Sequence, residues 1–234
     1  MYTMANNPYD NNKPTVVVGS SDSGKTNLAF YIASQCGHEK KYILGYPREV
    51  DGYIRISDKD ELFKLNNCVI IIDEFQRYFA RSGRNHNDAL EEAIDFAEHR
   101  NIKLILTAQN NQAIDRNLES RIKCWALKRI NIHTLKNGGM CKVALTSIKD
   151  PRITSSFLSL ENNEFLWFNI DSQIGENGIK TFPDMGIKKD WDVQRNVNNV
   201  ANKMSNKKSL KKKRSTSLSS PEQGNEKITE EKQQ

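Results

Sequence analysis

An α/β fold, with a mostly parallel sheet flanked by helices, is predicted by three stretches of the 234-residue sequence. Residues 16 to 26, Val-Val-Val-Gly-Ser-Ser-Asp-Ser-Gly-Lys-Thr, place β-branched residues before the pattern G-x-x-x-x-G-K-[ST] and a helix-forming run after it. Residues 68 to 74, Cys-Val-Ile-Ile-Ile-Asp-Glu, hold four consecutive apolar residues, which suits a strand covered on both faces. Ile102 to Thr107 is a third β-prone run and ends in Ala108-Gln109-Asn110. Strands of this kind alternating with helical stretches imply parallel βαβ units, and turn-prone sequence further on implies antiparallel strands added near the C-terminal end.

In chain order, residues 1 to 13 are Asn-rich with little to bury, which predicts a mobile arm. Val16 to Val18 form the first strand. Leu28, Ala29, Ile32 and Ala33 recur at helical spacing. Residues 41 to 46 and 52 to 57 are short β-prone runs separated by Pro47 and Asp51-Gly52, and Asp58 is placed to cap a short helix through Leu65. Asp88 opens a helix through Arg100 with an apolar stripe at Ala89, Ala93, Phe96 and Ala97. Residues 113 to 121 predict a short helix and Lys123 to Ile130 a strand. Asn137-Gly138-Gly139 then reads as a hairpin turn into an antiparallel strand at Met140 to Ile148. Glu164 to Ile170 is the last predicted strand. The expected organisation is an arm at 1–13, one domain at 14–170, and a disordered, basic tail at 171–234.

The chemistry follows from the first two stretches. A loop that wraps a phosphate chain in backbone N–H groups needs glycine where a Cβ would block the approach, which accounts for Gly19 and Gly24. Lys25 would reach the β- and γ-phosphates, and Thr26 would offer a hydroxyl to Mg²⁺. Ser20, Ser21, Asp22, Ser23 and Asn27 complete the nucleotide-binding stretch, and Asp22 must point outward to escape repulsion. The strand at 68–72 would deliver Asp73 to the same crevice, to hold Mg²⁺, and Glu74 to orient and deprotonate an attacking water. Gln109, at the tip of the neighbouring strand, is a candidate contact for the γ-phosphate or its water. Residues 76 to 87 interleave Arg77, Arg81 and Arg84 with Tyr78 and Phe79. That suits either a DNA-tracking loop or an exposed loop whose aromatics pack back on the sheet.

Composition sets bounds. The net charge of +6 is modest, and its excess lies mostly beyond residue 170, where Lys207 to Arg214 is dense. That cluster could serve nucleic acid binding, nuclear import or solubility. Four cysteines are dispersed without a C-x-x-C pair, and no signal peptide is visible, which predicts a reduced, cytoplasmic setting. No apolar run nears the roughly 18 residues of a membrane span. His38, His86, His99 and His133 share no metal-ligand spacing.

The acidic pair and the Gln-tipped strand together suggest a P-loop ATPase of the additional-strand, RecA-like class. The segment from Glu98 to Gln109, with Arg100 before the strand and Gln109 after it, resembles the FtsK/HerA superfamily of DNA-pumping motors, and the resemblance covers residues 14 to about 135. By size the chain looks like the compact genome-packaging ATPases of viruses. The resemblance implies ATP and Mg²⁺ as cofactors, double-stranded DNA as partner, a ring that is commonly a hexamer, and capsid or portal proteins alongside it. The setting it implies is the host cytoplasm or the virion. It also implies an arginine supplied in trans, for which Arg100, Arg116 and Arg121 all qualify. Asp22 and the Asn110-Asn111 pair depart from the family pattern. Two alternatives stand beside the motor: a phage assembly ATPase like the zonular occludens toxin relatives, and a plasmid or chromosome-handling ATPase.

Overall fold

The computed structural model describes residues 7–79, 88–109, 116–119, 121–129, 140–148, 151–171 and 177–187. The chain divides into two units, Met1–Ile187 and Lys188–Gln234, and the second lies outside the described residues. Within the first unit, eight strands make one sheet: β1 (Thr15–Val18), β2 (Lys40–Leu44), β3 (Ile54–Ile56), β4 (Cys68–Ile72), β5 (Ile102–Ala108), β6 (Cys124–Leu127), β7 (Glu164–Asn169) and β8 (Gly178–Thr181), in the order β3-β2-β4-β5-β1-β6-β7-β8. The first six are parallel where they pair, and β7 and β8 are antiparallel additions.

The sheet centre is apolar because it has no solvent face. Every residue of β1, β4, β5 and β6 is buried, as expected of strands covered on both sides. One face carries α1 (Lys25–Gln35), which buries Leu28, Ala29, Phe30, Ile32 and Ala33 against Val17, Ile71 and Ile105. The other carries α2 (Asp88–His99), the short α3 (Arg116–Glu119), α4 (Met140–Ile148) and α5 (Pro151–Phe157). In α2 the buried residues are Leu90, Ala93, Ile94 and Ala97, so the stripe is centred one step away from Ala89 and Phe96. The predicted cap at Asp58 forms, and it is reciprocal. Asp58 accepts from the Asp60 N–H at 3.1 Å, and Glu61 Oε1 accepts from the Asp58 N–H at 3.0 Å, opening the 3₁₀ helix Lys59–Lys64.

The predicted hairpin is corrected. Met140–Ile148 is a helix, not the second strand of a hairpin. Its buried residues, Cys141, Ala144 and Leu145, are spaced i, i+3, i+4, while Lys142, Val143 and Thr146 face solvent. The antiparallel partner of β6 is β7 instead, with Trp125 opposite Phe168. Asn137-Gly138-Gly139 lies outside the described residues.

The N-terminal segment is anchored from Asn7 onward. Tyr9 is 8% exposed and meets the rings of Trp167 edge-on at 4.9 Å and Tyr31 at 5.9 Å. Lys103, fully buried on β5, donates to Asn11 Oδ1 and the Lys13 carbonyl, both at 2.8 Å, and burial pushes its ammonium pKa down.

The domain also continues past residue 170. Phe182, beyond β8, packs on Phe165 and Tyr31. Single aromatic residues, Tyr9 and Phe182, thus bind otherwise polar segments to the α1 face. Replacing Tyr9 with alanine is expected to lower the unfolding free energy in urea by about 3 kcal/mol, the usual cost of emptying a large aromatic site.

Candidate active site

Five of the predicted site residues, Lys25, Thr26, Asp73, Glu74 and Gln109, stand at the carboxyl ends of β1, β4 and β5, at one end of the sheet. The loop between β1 and α1 begins where Gly19 N–H donates to the Ala108 carbonyl at 3.2 Å and Ser20 N–H to the Arg129 carbonyl at 3.2 Å. It is therefore slung between the ends of β5 and β6. A Cβ on Gly19 would stand 2.5 Å from Ser23 Oγ and 2.6 Å from Lys128 Cβ, so only glycine fits. Gly24 takes φ +84° as the N-cap of α1, which has no side-chain cap and no acid in its first turn. The first amides of α1 thus face the loop with the positive end of the helix dipole behind them, which suits an anion. Ser21 and Asp22 are exposed at the loop apex, with Asp22 at φ 59°. Ser23 is buried and donates to the Ser20 carbonyl at 2.8 Å. The Lys25 ammonium donates to the same carbonyl at 2.7 Å, a position that a phosphate oxygen would contest.

The acidic side of the crevice is built across three strands. Thr26 Oγ1 donates to Asp73 Oδ1 at 3.2 Å, and both groups are buried. A hydroxyl and a carboxylate side by side make a hard-oxygen pair that fits Mg²⁺ with its remaining waters. Strand β5 lies between β1 and β4, and Thr107 fills the gap: its hydroxyl donates to Asp73 Oδ1 at 2.7 Å and accepts from the Glu74 N–H at 2.8 Å. Glu74 itself sits at φ 52°, unusual for a residue with a side chain. Gln109 Nε2 donates to Glu74 Oε1 at 3.3 Å, and Arg77 forms an ion pair with Glu74 Oε2. Asp73 N–H donates to the Leu44 carbonyl at 2.8 Å, and Gly45 at φ +87° passes so close that a Cβ would be 2.6 Å from the Asp73 carbonyl oxygen.

Other predicted residues fall elsewhere. The amide of Asn27 closes a clasp: it donates to Asp184 Oδ1 at 2.8 Å and accepts from the Ile187 N–H at 3.1 Å. Phe79 is 2% exposed in the core, and Tyr78 is half-buried against it, so the aromatics of this loop pack back on the sheet. Arg81 and Arg84 lie outside the described residues. Arg100 is exposed at the opposite end of β5 from Gln109, stacked on Phe96 at 5.2 Å. Seven strand residues separate the two, about 20 Å. Arg121 pairs with Glu91 at 3.0 Å and Asp95 at 2.8 Å, while the Arg116 side chain is outside the described set.

Sequence reasoning missed Thr107, Gly45 and Lys128. For Thr107 a signal existed, because it is the one hydroxyl in an apolar strand and shares strand parity with Gln109. Lys128 is fully buried beneath the loop, with its stem against Gly19 and Gly24. Its ammonium donates to the Asn162 carbonyl at 2.7 Å and to the Glu164 carbonyl, and lies 4.7 Å from the Phe182 ring centre. Burial pulls its pKa down to about 8, with Glu164 opposing the fall.

Residues 15–127 match the family model described as "ATPase family associated with various cellular activities (AAA)". No curated protein sequence matches the chain. Among solved structures, the fold is shared with B204, the DNA-packaging ATPase from Sulfolobus Turreted Icosahedral Virus, at 16% identity and a TM-score of 0.53, covering 75% of this chain and 99% of that one. It is shared too with the genome packaging NTPase B204 from Sulfolobus turreted icosahedral virus 2 in complex with ATP-gammaS, at 17% identity and a TM-score of 0.54, covering 76% and 100%. Identities this low speak to the fold. The family match and the sheet order agree on an additional-strand P-loop core.

Lys128 gives a pH test of how the loop is underpinned. Its folded pKa lies below the unfolded value of 10.5, so the cost of burying its charge is fully present below about pH 8 and relieved as pH rises towards 10.5. The stability of the wild type relative to Lys128→Met is expected to rise over that window, as read by urea unfolding.

Proposed function

We propose that this P-loop ATPase hydrolyses ATP to move double-stranded DNA, as a motor of the FtsK/HerA kind that packages a viral genome. The observation that carries the reading is the 3.2 Å contact between Thr26 and Asp73, beside Lys25, Glu74 and Gln109. In this reading those residues are the loop lysine, the paired oxygens, the base and the sensor of one crevice. The match to the ATPase family model and the fold in common with B204 support it.

In this reading the amides from Gly19 to Thr26 cradle the phosphates, and Lys25 leaves the Ser20 carbonyl for the γ-phosphate. Thr26 and Asp73 would hold Mg²⁺, which supplies neutralising charge for the phosphates. Glu74 orients a water and takes its proton, and Gln109 fixes that water or the γ-phosphate. Thr107 keeps Asp73 and Glu74 in register, since one hydroxyl serves both.

The trans arginine needs to be exposed and remote from its own nucleotide, as Arg100 is. Arg121 is already paired to α2. An Arg100 that serves the next subunit requires a head-to-tail contact, the heterologous kind that closes into rings, here a hexamer. Arg77, with Arg81 and Arg84 beyond it, would face the DNA, and capsid or portal proteins would anchor the ring.

Hydrolysis measured with and without duplex DNA, alongside solution mass, tests motor and ring together. Duplex is expected to raise turnover several-fold in an oligomer, and Lys25→Ala or Glu74→Gln to reduce it at least ~100-fold. An oligomer whose turnover ignores duplex would overturn the reading. Thr107→Val is expected to lower kcat about 10- to 100-fold with KM for ATP little changed, because it strands a buried N–H without displacing the phosphate loop.

A further inference from the structure

We propose that Lys128 is a positioning residue for the triphosphate, a positive charge set behind the phosphate loop that holds the loop in shape and tightens nucleotide binding. The inference rests on the phosphate-loop part of the reading above and not on its DNA part.

The backbone fixes where this lysine stands. Its N–H donates to the Val18 carbonyl at 2.7 Å, and the next carbonyl, that of Arg129, accepts from the Ser20 N–H at 3.2 Å. Lys128 is therefore laced to the chain on both sides of Gly19. Its side chain then runs beneath the loop to the far end. A Cβ on Gly19 would stand 2.6 Å from Lys128 Cβ, and one on Gly24 would stand 3.8 Å from its Nζ, so stem and ammonium pass the two glycines in turn. Gly24 is the N-cap of α1. The ammonium thus adds a full charge where the helix end supplies only a partial one.

That charge has no ion-pair partner among the described residues. Its hydrogen bonds go to the Asn162 carbonyl at 2.7 Å, the Glu161 carbonyl at 3.4 Å and the Glu164 carbonyl. The Glu164 carboxylate is occupied, accepting from the Glu161 N–H at 3.0 Å. Arg129 on its own strand end and Lys25, which also flanks Gly19, are both cations. Phe182, from beyond β8, brings a ring and no charge, and Asp184 after it is taken by Asn27. Burying an ammonium without a counter-charge costs stability, and a methionine would fill the same floor without that cost. What the ammonium adds is attraction for an anion, and the loop above it is built to hold one.

Binding then carries a proton signature. Burial sets the Lys128 pKa at about 8. A triphosphate in the loop favours the charged lysine and raises that pKa, and by linkage the charged lysine favours the triphosphate by the same factor. The affinity that Lys128 contributes is therefore complete below about pH 8 and fades as pH rises above it.

The test measures binding of ATPγS with Mg²⁺ by calorimetry, on full chains of wild type, Lys128→Met and Lys128→Arg, at about pH 7.5 and 9.5. At the lower pH, Lys128→Met is expected to bind about ten-fold more weakly than wild type, and at the higher pH most of that gap should close. Wild type should take up part of a proton on binding between the two values, and the Met variant should not. Lys25 is common to all three chains, so its own titration cancels. Lys128→Arg keeps its charge throughout and should bind tightly at both values. In hydrolysis, Lys128→Met should raise KM for ATP with much less change in kcat, the mark of lost uniform binding. Equal affinity in wild type and Lys128→Met at the lower pH would overturn the proposal. So would a weakened Met variant beside a wild type that takes up no proton, since packing alone would then account for the loss. If the Met variant fails to fold, proton uptake by the wild type decides. A wild type that binds no ATPγS at either pH would overturn the phosphate-loop reading itself.

Discussion

The candidate active site at the end of this sheet depends on a single hydroxyl. With β5 inserted between the phosphate-loop strand and the acid-bearing strand, Asp73 and Glu74 lie beside the end of β5, which offers them a tie. Thr107 Oγ1 supplies it, giving its proton to Asp73 and receiving the N–H of Glu74. The left-handed backbone at Glu74 is held by that bond, and it turns the side chain towards Gln109 and Arg77. A hydroxyl is the smallest side-chain group that can donate and accept at once.

Much of this was legible in the sequence because the signals were local. The run Val16–Val18 before Gly19, the apolar stretch ahead of Asp73, and the Asp58 cap each depend on neighbours within a turn or a strand, and each lies where the pattern puts it. Met140–Ile148 shows the limit. Its Val, Thr and Ile residues favour a strand by propensity, but burial follows Cys141, Ala144 and Leu145, a helical face that appears only when there is a sheet to pack on. Tyr9 and Phe182 were hidden for another reason. Composition judges a segment by its average, whereas one ring inserted among Tyr31, Phe165 and Trp167 can anchor a polar stretch.

The two buried lysines extend the same point. Lys103 and Lys128 sit in or beside strands where a charge reads as an interruption, yet each spends its ammonium on carbonyl oxygens of a crossing segment: Asn11 Oδ1 and the Lys13 carbonyl for the first, the Asn162 and Glu164 carbonyls for the second. Neither makes an ion pair among the described residues. They act as ties across the chain, with donors that fan out in three directions where a neutral amide would offer two. Lys128 thereby makes the turn before β7 part of the floor of the phosphate loop, a dependence between positions more than a hundred residues apart.

The Asn27 clasp has a mechanical consequence. The last described residues of the domain, Asp184 to Ile187, are fastened to the third residue of α1, one position after the hydroxyl that would ligate the metal. A pull applied to the chain beyond Ile187 is therefore delivered to the head of that helix before it loads the β-sheet. Conversely, any tilt of the helix as phosphates arrive or leave is communicated outward along the same strap.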